Sequence, residues 1–155
     1  FGPQVKALAG RYLSQMIDEI SALPHPDGGT GSLLDSVELI VPHQANKTMV
    51  IQLAERAGLT PDQLYFNIER VGNTSSASIP LAIHDAVRDG VITGPVRVFA
   101  PGFGAGAVAG YAVMRVDPAV VAVGPAPEHA AGAAPAAQEP NGSNQGSDEV
   151  REAFG

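Results

Sequence analysis

Val37-Glu38-Leu39-Ile40-Val41-Pro42-His43-Gln44-Ala45-Asn46 is the stretch from which the fold is read. Val37 to Val41 is a short, mostly apolar run with β-branched residues, the pattern of a strand buried on both faces. Pro42 ends it. The period then changes: residues 45 to 57 carry Ala45, Met49, Ile51, Leu53 and Ala54, followed by Gly58 as a helix stop. His43 therefore stands where a strand gives way to a helix, a place from which a side chain can be aimed into a cleft.

Upstream, residues 4 to 22 read as an amphipathic helix. Val5, Leu8, Ala9, Tyr12, Leu13, Met16 and Ile20 recur at three- and four-residue spacing, with Gln4, Lys6, Arg11, Gln15, Asp18 and Glu19 between them. Pro24-His25-Pro26-Asp27-Gly28-Gly29 ends it in a loop. Downstream, Thr60-Pro61-Asp62-Gln63 reads as a cap with proline at the first helical position, and Leu64 to Ile68 returns to strand. A helix follows from about Ser76 to Arg88, with Pro80 in its first turn or so. Val96 to Ala100 and Ala107 to Val116 are strands around a glycine-rich turn, Pro101-Gly102-Phe103-Gly104-Ala105-Gly106. Such a short connection makes them antiparallel neighbours. The order of elements predicts a layered α/β domain with a mixed sheet.

From Pro118 the composition shifts to Ala, Gly, Pro, Ser and Asn, with almost no bulky apolar residue between Val123 and Val150. Such a segment buries too little surface to offset its ordering entropy. The expected division is residues 1–117 folded and 118–155 a disordered tail, with Asp148 to Phe154 as the one stretch that could serve recognition.

The 155 residues carry a net charge of −7, with 45% hydrophobic and 16% charged residues, which suits a buried α/β interior. No basic run or basic face with interleaved aromatics is present, which argues against a nucleic-acid partner. No apolar stretch approaches membrane-spanning length, so no membrane partner is expected and the cytoplasm is the default location. There is no cysteine, hence no disulfide scaffold or thiolate metal site. The four histidines show no metal-ligand spacing. The chain opens on Phe1, as expected of a segment of a longer or processed polypeptide.

Two residues could carry chemistry. His43 follows a strand, and Asn73 lies in Gly72-Asn73-Thr74-Ser75-Ser76-Ala77-Ser78, at another junction of the same kind. Imidazole and carboxamide can each present a neutral N–H, and together they could form a two-donor hole for a developing enolate or oxyanion. The same residues also read as a structural strand-end histidine and a turn with a helix cap. His25 and His129 read as solvated. His84 and Asp85, adjacent on a helix, read as pointing apart.

Three strings decide between these readings. Val41-Pro42-His43-Gln44-Ala45-Asn46, Gly72-Asn73-Thr74-Ser75-Ser76-Ala77-Ser78-Ile79-Pro80 and Gly102-Phe103-Gly104-Ala105-Gly106 resemble the C-terminal half of β-ketoacyl-acyl-carrier-protein synthase III, a thiolase-fold condensing enzyme. The resemblance covers residues 1 to 117 in order. It implies the C-terminal half of a thiolase-like fold, packing against a related N-terminal half, with the complete unit forming a homodimer. It also implies that His43 and Asn73 bind the thioester carbonyl of a malonyl partner and promote its decarboxylation. Gly106 would supply a backbone N–H to the oxyanion hole, Asn46 a supporting, water-holding role, and Lys47 a positive charge for the carrier.

The family's nucleophilic cysteine would come from a Cys-bearing N-terminal half or subunit. No cofactor is implied. The substrates would be an acyl-coenzyme A and a malonyl group on carrier protein or coenzyme A, held through phosphopantetheine. The alternatives are an acyltransferase of the same fold, with His43 as general base toward an alcohol or amine, and a non-catalytic partner subunit. Two departures stand out. The usual three consecutive glycines are here Gly104-Ala105-Gly106, and Lys47-Thr48 occupies the stretch where relatives often carry an arginine.

A half-fold leaves a helix face and a sheet edge uncovered. Residues 1 to 117 expressed alone are therefore expected to give aggregated or molten material. A cooperatively melting, monodisperse monomer in calorimetry and light scattering would contradict this.

Overall fold

The computed structural model describes residues 3–124. Helix α1 (Pro3–Ala22) starts with proline in its first turn, where no intrahelical donor is needed. It stops before Leu23-Pro24, because the residue ahead of a proline is pushed out of helical geometry. The loop is closed by the Leu33 N–H donating to the Leu23 carbonyl at 2.9 Å. Strand β1 (Leu39–Ile40) leads to α2 (Lys47–Arg56), α3 (Ile68–Val71), α4 (Ser78–Arg88), and the hairpin β2 (Val96–Gly104) and β3 (Val108–Val116).

The sheet order is β1-β2-β3, with β1 parallel and β3 antiparallel to β2. Side chains alternate between two cores, as a period of two requires. Ile40 and Phe99 face Ala9, Leu13, Met16, Ile17 and Ile20 of α1 and Leu53 and Ala54 of α2. Leu39, Val41, Val98, Ala100 and Val116 face Ala82 and Ala86 of α4. The outcome is a three-layer α/β arrangement with a mixed sheet.

Regular pairing in β1 is short, yet the chain around it follows β2. The Glu38, Val41 and His43 N–H groups donate to the carbonyls of Arg97, Phe99 and Pro101, each at 2.9 Å. Two expectations are corrected. Pro101 to Gly104 is strand, not turn, and the connection is only Ala105-Gly106-Ala107. Proline is admitted because its carbonyl points at His43. Its missing N–H falls on that same side, where β1 has ended, so the ladder to β3 is intact. Leu64 to Ile68 contributes a single bridge, Ile40 to Leu64, before turning into α3.

Residues 118–124 of the expected tail carry a 3₁₀ turn, Pro118–Val120. Asp117 caps it by accepting from the Ala119 N–H, and Val121 packs on the second core. The rest of that segment, including Asp148 to Phe154 and His129, lies outside the described residues.

Phe99 has no exposed surface and meets Tyr111 edge-on at 5.8 Å between ring centroids. Phe99→Ala is expected to lower stability by about 3–5 kcal/mol. Denaturant unfolding of the complete protein would measure it, and a loss below about 1 kcal/mol would remove Phe99 from the centre of the core.

Candidate active site

His43 is held at both ends. Its main chain hangs on β2 through Pro101, and its Nδ1 lies 2.6 Å from Ser78 Oγ in the first turn of α4. The ring is half-buried, and burial pushes its pKa below the ordinary histidine value. A neutral imidazole is therefore favoured at neutral pH.

Asn73 sits at the exposed entry to the same helix. Gly72, at the end of α3, holds φ 69° and ψ −165°, a conformation open essentially only to glycine, and so turns the chain sharply into the Asn73 loop. The Asn73 Oδ1 accepts from the Ser75 N–H at 2.9 Å, and Ser75 itself adopts φ 56°. That turn occupies the carbonyl end of the carboxamide and leaves its NH₂ as the free end. No hydrogen bond joins Asn73 to His43. The two are linked through the chain from Asn73 to Ser78, at the carboxyl ends of the parallel strands where ligands of α/β sheets bind.

The other expected residues are placed differently. Asn46 is the N-cap of α2: its Oδ1 accepts from the Met49 N–H at 2.9 Å. Lys47 pairs with Glu69 at 2.8 Å and lies over the Phe66 ring, 5.7 Å from its centroid. Gly106 is at the exposed hairpin tip with φ 80°, a conformation that explains the glycine there. The tip is tied to α1 by the Tyr12 hydroxyl donating to the Ala107 carbonyl at 3.2 Å. A cleft of about 290 Å³, lined by Leu34, Asp35, Val37, Gly58, Leu59 and Gln63, contains none of the candidate residues. Among the described residues no three His, Asp or Glu side chains are grouped to hold a metal.

Sequence reasoning missed the layer beneath. Gln44, 1% exposed, donates from Nε2 to the carbonyls of Pro42 (2.8 Å) and Tyr65 (3.2 Å), and its Oε1 accepts from the Asn67 N–H at 3.1 Å. Its carboxamide thus stands in for the peptide group that a continuing β1 would offer to residues 65–67, and regular pairing stops there. Asn67 then donates to Asp85 Oδ2 at 2.9 Å. The Asp85 carboxylate also meets Arg70 at 3.3 Å, Arg88 at 3.2 Å and His84 Nδ1 at 3.2 Å. His84 and Asp85 do meet, contrary to the reading that they point apart.

Burial works to raise the Asp85 pKa, but the bonds from Asn67, His84 and Arg70 outweigh it and hold the carboxyl below its usual range. Nearby, the Tyr65 hydroxyl donates to Asp89 at 2.6 Å, and burial aided by that bond pushes the phenol up to about 12. A glutamine directly after the strand-end histidine was the one available signal for this network.

The class is an α/β fold of the thiolase type, carrying its polar site at the carboxyl ends of its parallel strands. Residues 30–116 match the family model of the 3-oxoacyl-[acyl-carrier-protein (ACP)] synthase III C-terminal part, more than half of the chain, and the chain belongs to that family.

A β-ketoacyl-[acyl-carrier-protein] synthase III of Desulfotalea psychrophila is 35% identical over 115 residues, 74% of this chain and 32% of the relative. Among solved structures, the synthase III of Thermus thermophilus superposes with a TM-score of 0.60 at 35% identity, covering 74% of this chain and 34% of that one. The priming β-ketosynthase of the R1128 polyketide pathway gives 0.52 at 30% identity, covering 71% and 33%. The chain spans about one third of the length of the curated relatives it matches.

Gln44→Glu keeps the shape of the side chain but turns its Nε2 donor into an acceptor facing two carbonyls. The expected loss is about 2–3 kcal/mol of stability, read from denaturant midpoints of the complete protein. An unchanged midpoint would show that Gln44 does not hold residues 65–67.

Proposed function

We propose that this chain is the carbonyl-binding, C-terminal part of a condensing enzyme that joins an acyl thioester to a malonyl thioester in fatty-acid or polyketide-type biosynthesis. The observation that supports this reading is that His43 and Asn73 both lie in the family-matched segment, with His43 Nδ1 and Asn73 Oδ1 each engaged by a serine of the stretch 75–78.

In this reading the malonyl thioester carbonyl lies against both donors. The bond to the carboxylate breaks, carbon dioxide leaves, and the electron pair moves to the carbonyl oxygen as an enolate. The donors hold charge that exists only after the bond begins to break, so they act on the transition state more than on the bound substrate. The enolate carbon then attacks an acyl group held as a thioester, forming the carbon–carbon bond and expelling a thiolate. That thiolate belongs to a cysteine supplied from outside these residues, by an N-terminal half or a partner subunit.

Gly106 and Asn46 have supporting roles. The Gly106 N–H serves the acyl side from the hairpin tip, and Asn46 sets the start of α2 beside His43. Lys47, drawn toward Glu69, is a weak cation for coenzyme A or a carrier protein. The working unit is a cytoplasmic homodimer of the complete polypeptide. No helix among the described residues is long and apolar enough to cross a membrane, which is compatible with that location.

In the complete, cysteine-bearing protein, His43→Ala and Asn73→Ala should each slow malonyl decarboxylation by about 10²–10³ while transfer of the acyl group onto the cysteine continues. Radiolabelled acyl-coenzyme A and carbon dioxide release separate the two steps. Normal decarboxylation in both variants would refute the assigned roles.

A further inference from the structure

Ser78 is buried, 2% exposed, and its hydroxyl meets two groups. The Gln44 N–H donates to Ser78 Oγ at 3.3 Å, and His43 Nδ1 lies 2.6 Å away. A serine hydroxyl has one proton to give and two lone pairs to receive with. The Gln44 amide occupies one lone pair. No acceptor other than His43 Nδ1 meets the Ser78 hydroxyl among the described residues. Were Nδ1 protonated, Ser78 would receive two N–H groups and its own proton would have no partner in a buried position, which is unfavourable.

We infer that Ser78 is the positioning residue that sets the tautomer of His43: its O–H donates to Nδ1, so that the neutral ring carries its hydrogen on Nε2 and presents an N–H at the mouth of the site. The inference rests on the reading of His43 as a carbonyl donor and deepens it. The start of α4 contributes in the same sense, because the positive end of a helix disfavours a protonated ring beside it. No charged side chain among the described residues shifts His43, and burial alone lowers its pKa.

A ring with hydrogen on Nε2 and its Nδ1 lone pair engaged has no free nitrogen with which to remove a proton. Ser78 therefore favours condensation over the acyl-transfer alternative, in which His43 would be a general base. His43 and Asn73 are then built alike: the acceptor atom of each is held by a serine of the same segment, and the N–H end is left for substrate.

The test uses the complete protein labelled with ¹⁵N-histidine, with His43 assigned by comparison with His43→Ala. In wild type, Nδ1 should resonate as the unprotonated nitrogen and Nε2 as the protonated one. Ser78→Ala removes the bond that favours the neutral ring. The acid limb of the decarboxylation profile should then move up by about half to one pH unit. The kcat should fall about tenfold with KM for the malonyl thioester within twofold, because the ring loses its preferred tautomer and aim.

Ser78→Asp should reverse the polarity, drawing the hydrogen to Nδ1 and raising the limb further. A wild-type ring protonated on Nδ1 would overturn the inference without any variant. So would Ser78→Ala with unchanged limb and kcat, provided that His43→Ala is inactive. If His43→Ala decarboxylates normally, the donor reading itself fails, whatever the tautomer.

Discussion

The arrangement depends most on one side chain acting as a peptide group. Gln44 follows directly on the histidine, is almost wholly buried, and satisfies two carbonyls and one N–H with a single carboxamide. A buried backbone group without a partner is costly, so whatever completes residues 65–67 determines where that segment runs. Gln44 does this beyond the end of β1: the His43 N–H still reaches Pro101, residues 65–67 are held by a side chain rather than by a strand, and the chain can turn into α3 and the Asn73 loop. The Gln44 main chain also reaches Ser78, so one residue is bonded to the chain after β1, to the segment that leads into α3 and to the start of α4.

Beneath this lies a charged layer around Asp85. Asp85 is buried on α4 and gathers Asn67, Arg70, Arg88 and His84 around one carboxylate. Arg70 and Arg88 are partly exposed, so their attraction is screened, and the bond from buried Asn67 contributes more to order than either ion pair. Asp85 thus ties α4 to the segment leading into α3 chiefly through buried Asn67, while burial favours the neutral form of the His43 ring.

Much of this was legible in the sequence. The period of α1, the helix within residues 45 to 57 and the antiparallel pairing of the last two strands follow from local patterns that tertiary structure had no reason to override. The three motif strings located His43 and Asn73 and pointed to the family. What could not be read depends on partners distant in sequence. Leu64 to Ile68 has strand-like residues, but Gln44 takes its ladder position. Pro101-Gly102-Phe103-Gly104 has turn-like residues, but pairing with Val108 to Tyr111 extends it. Ser78 looked like one more small polar residue at a helix start, and only its 2.6 Å approach to a residue 35 positions away distinguishes it. Asp85 was judged by helical geometry alone, which does not show that four separate groups converge on it.

The double suspension of His43 also has a consequence in time. Its main chain is bonded to a central strand and its ring to the start of a helix, although by sequence it occupies a connecting segment. Loops ordinarily open on their own, at little free-energy expense, long before the core does. Here the His43 amide cannot be freed without parting the chain from β2. Its hydrogen–deuterium exchange is therefore expected to follow the opening of the sheet, while Asn46 and Lys47, a few residues along, are expected to exchange with the fraying of a short helix. His43 would thus open with the core rather than with the loop in which it is written.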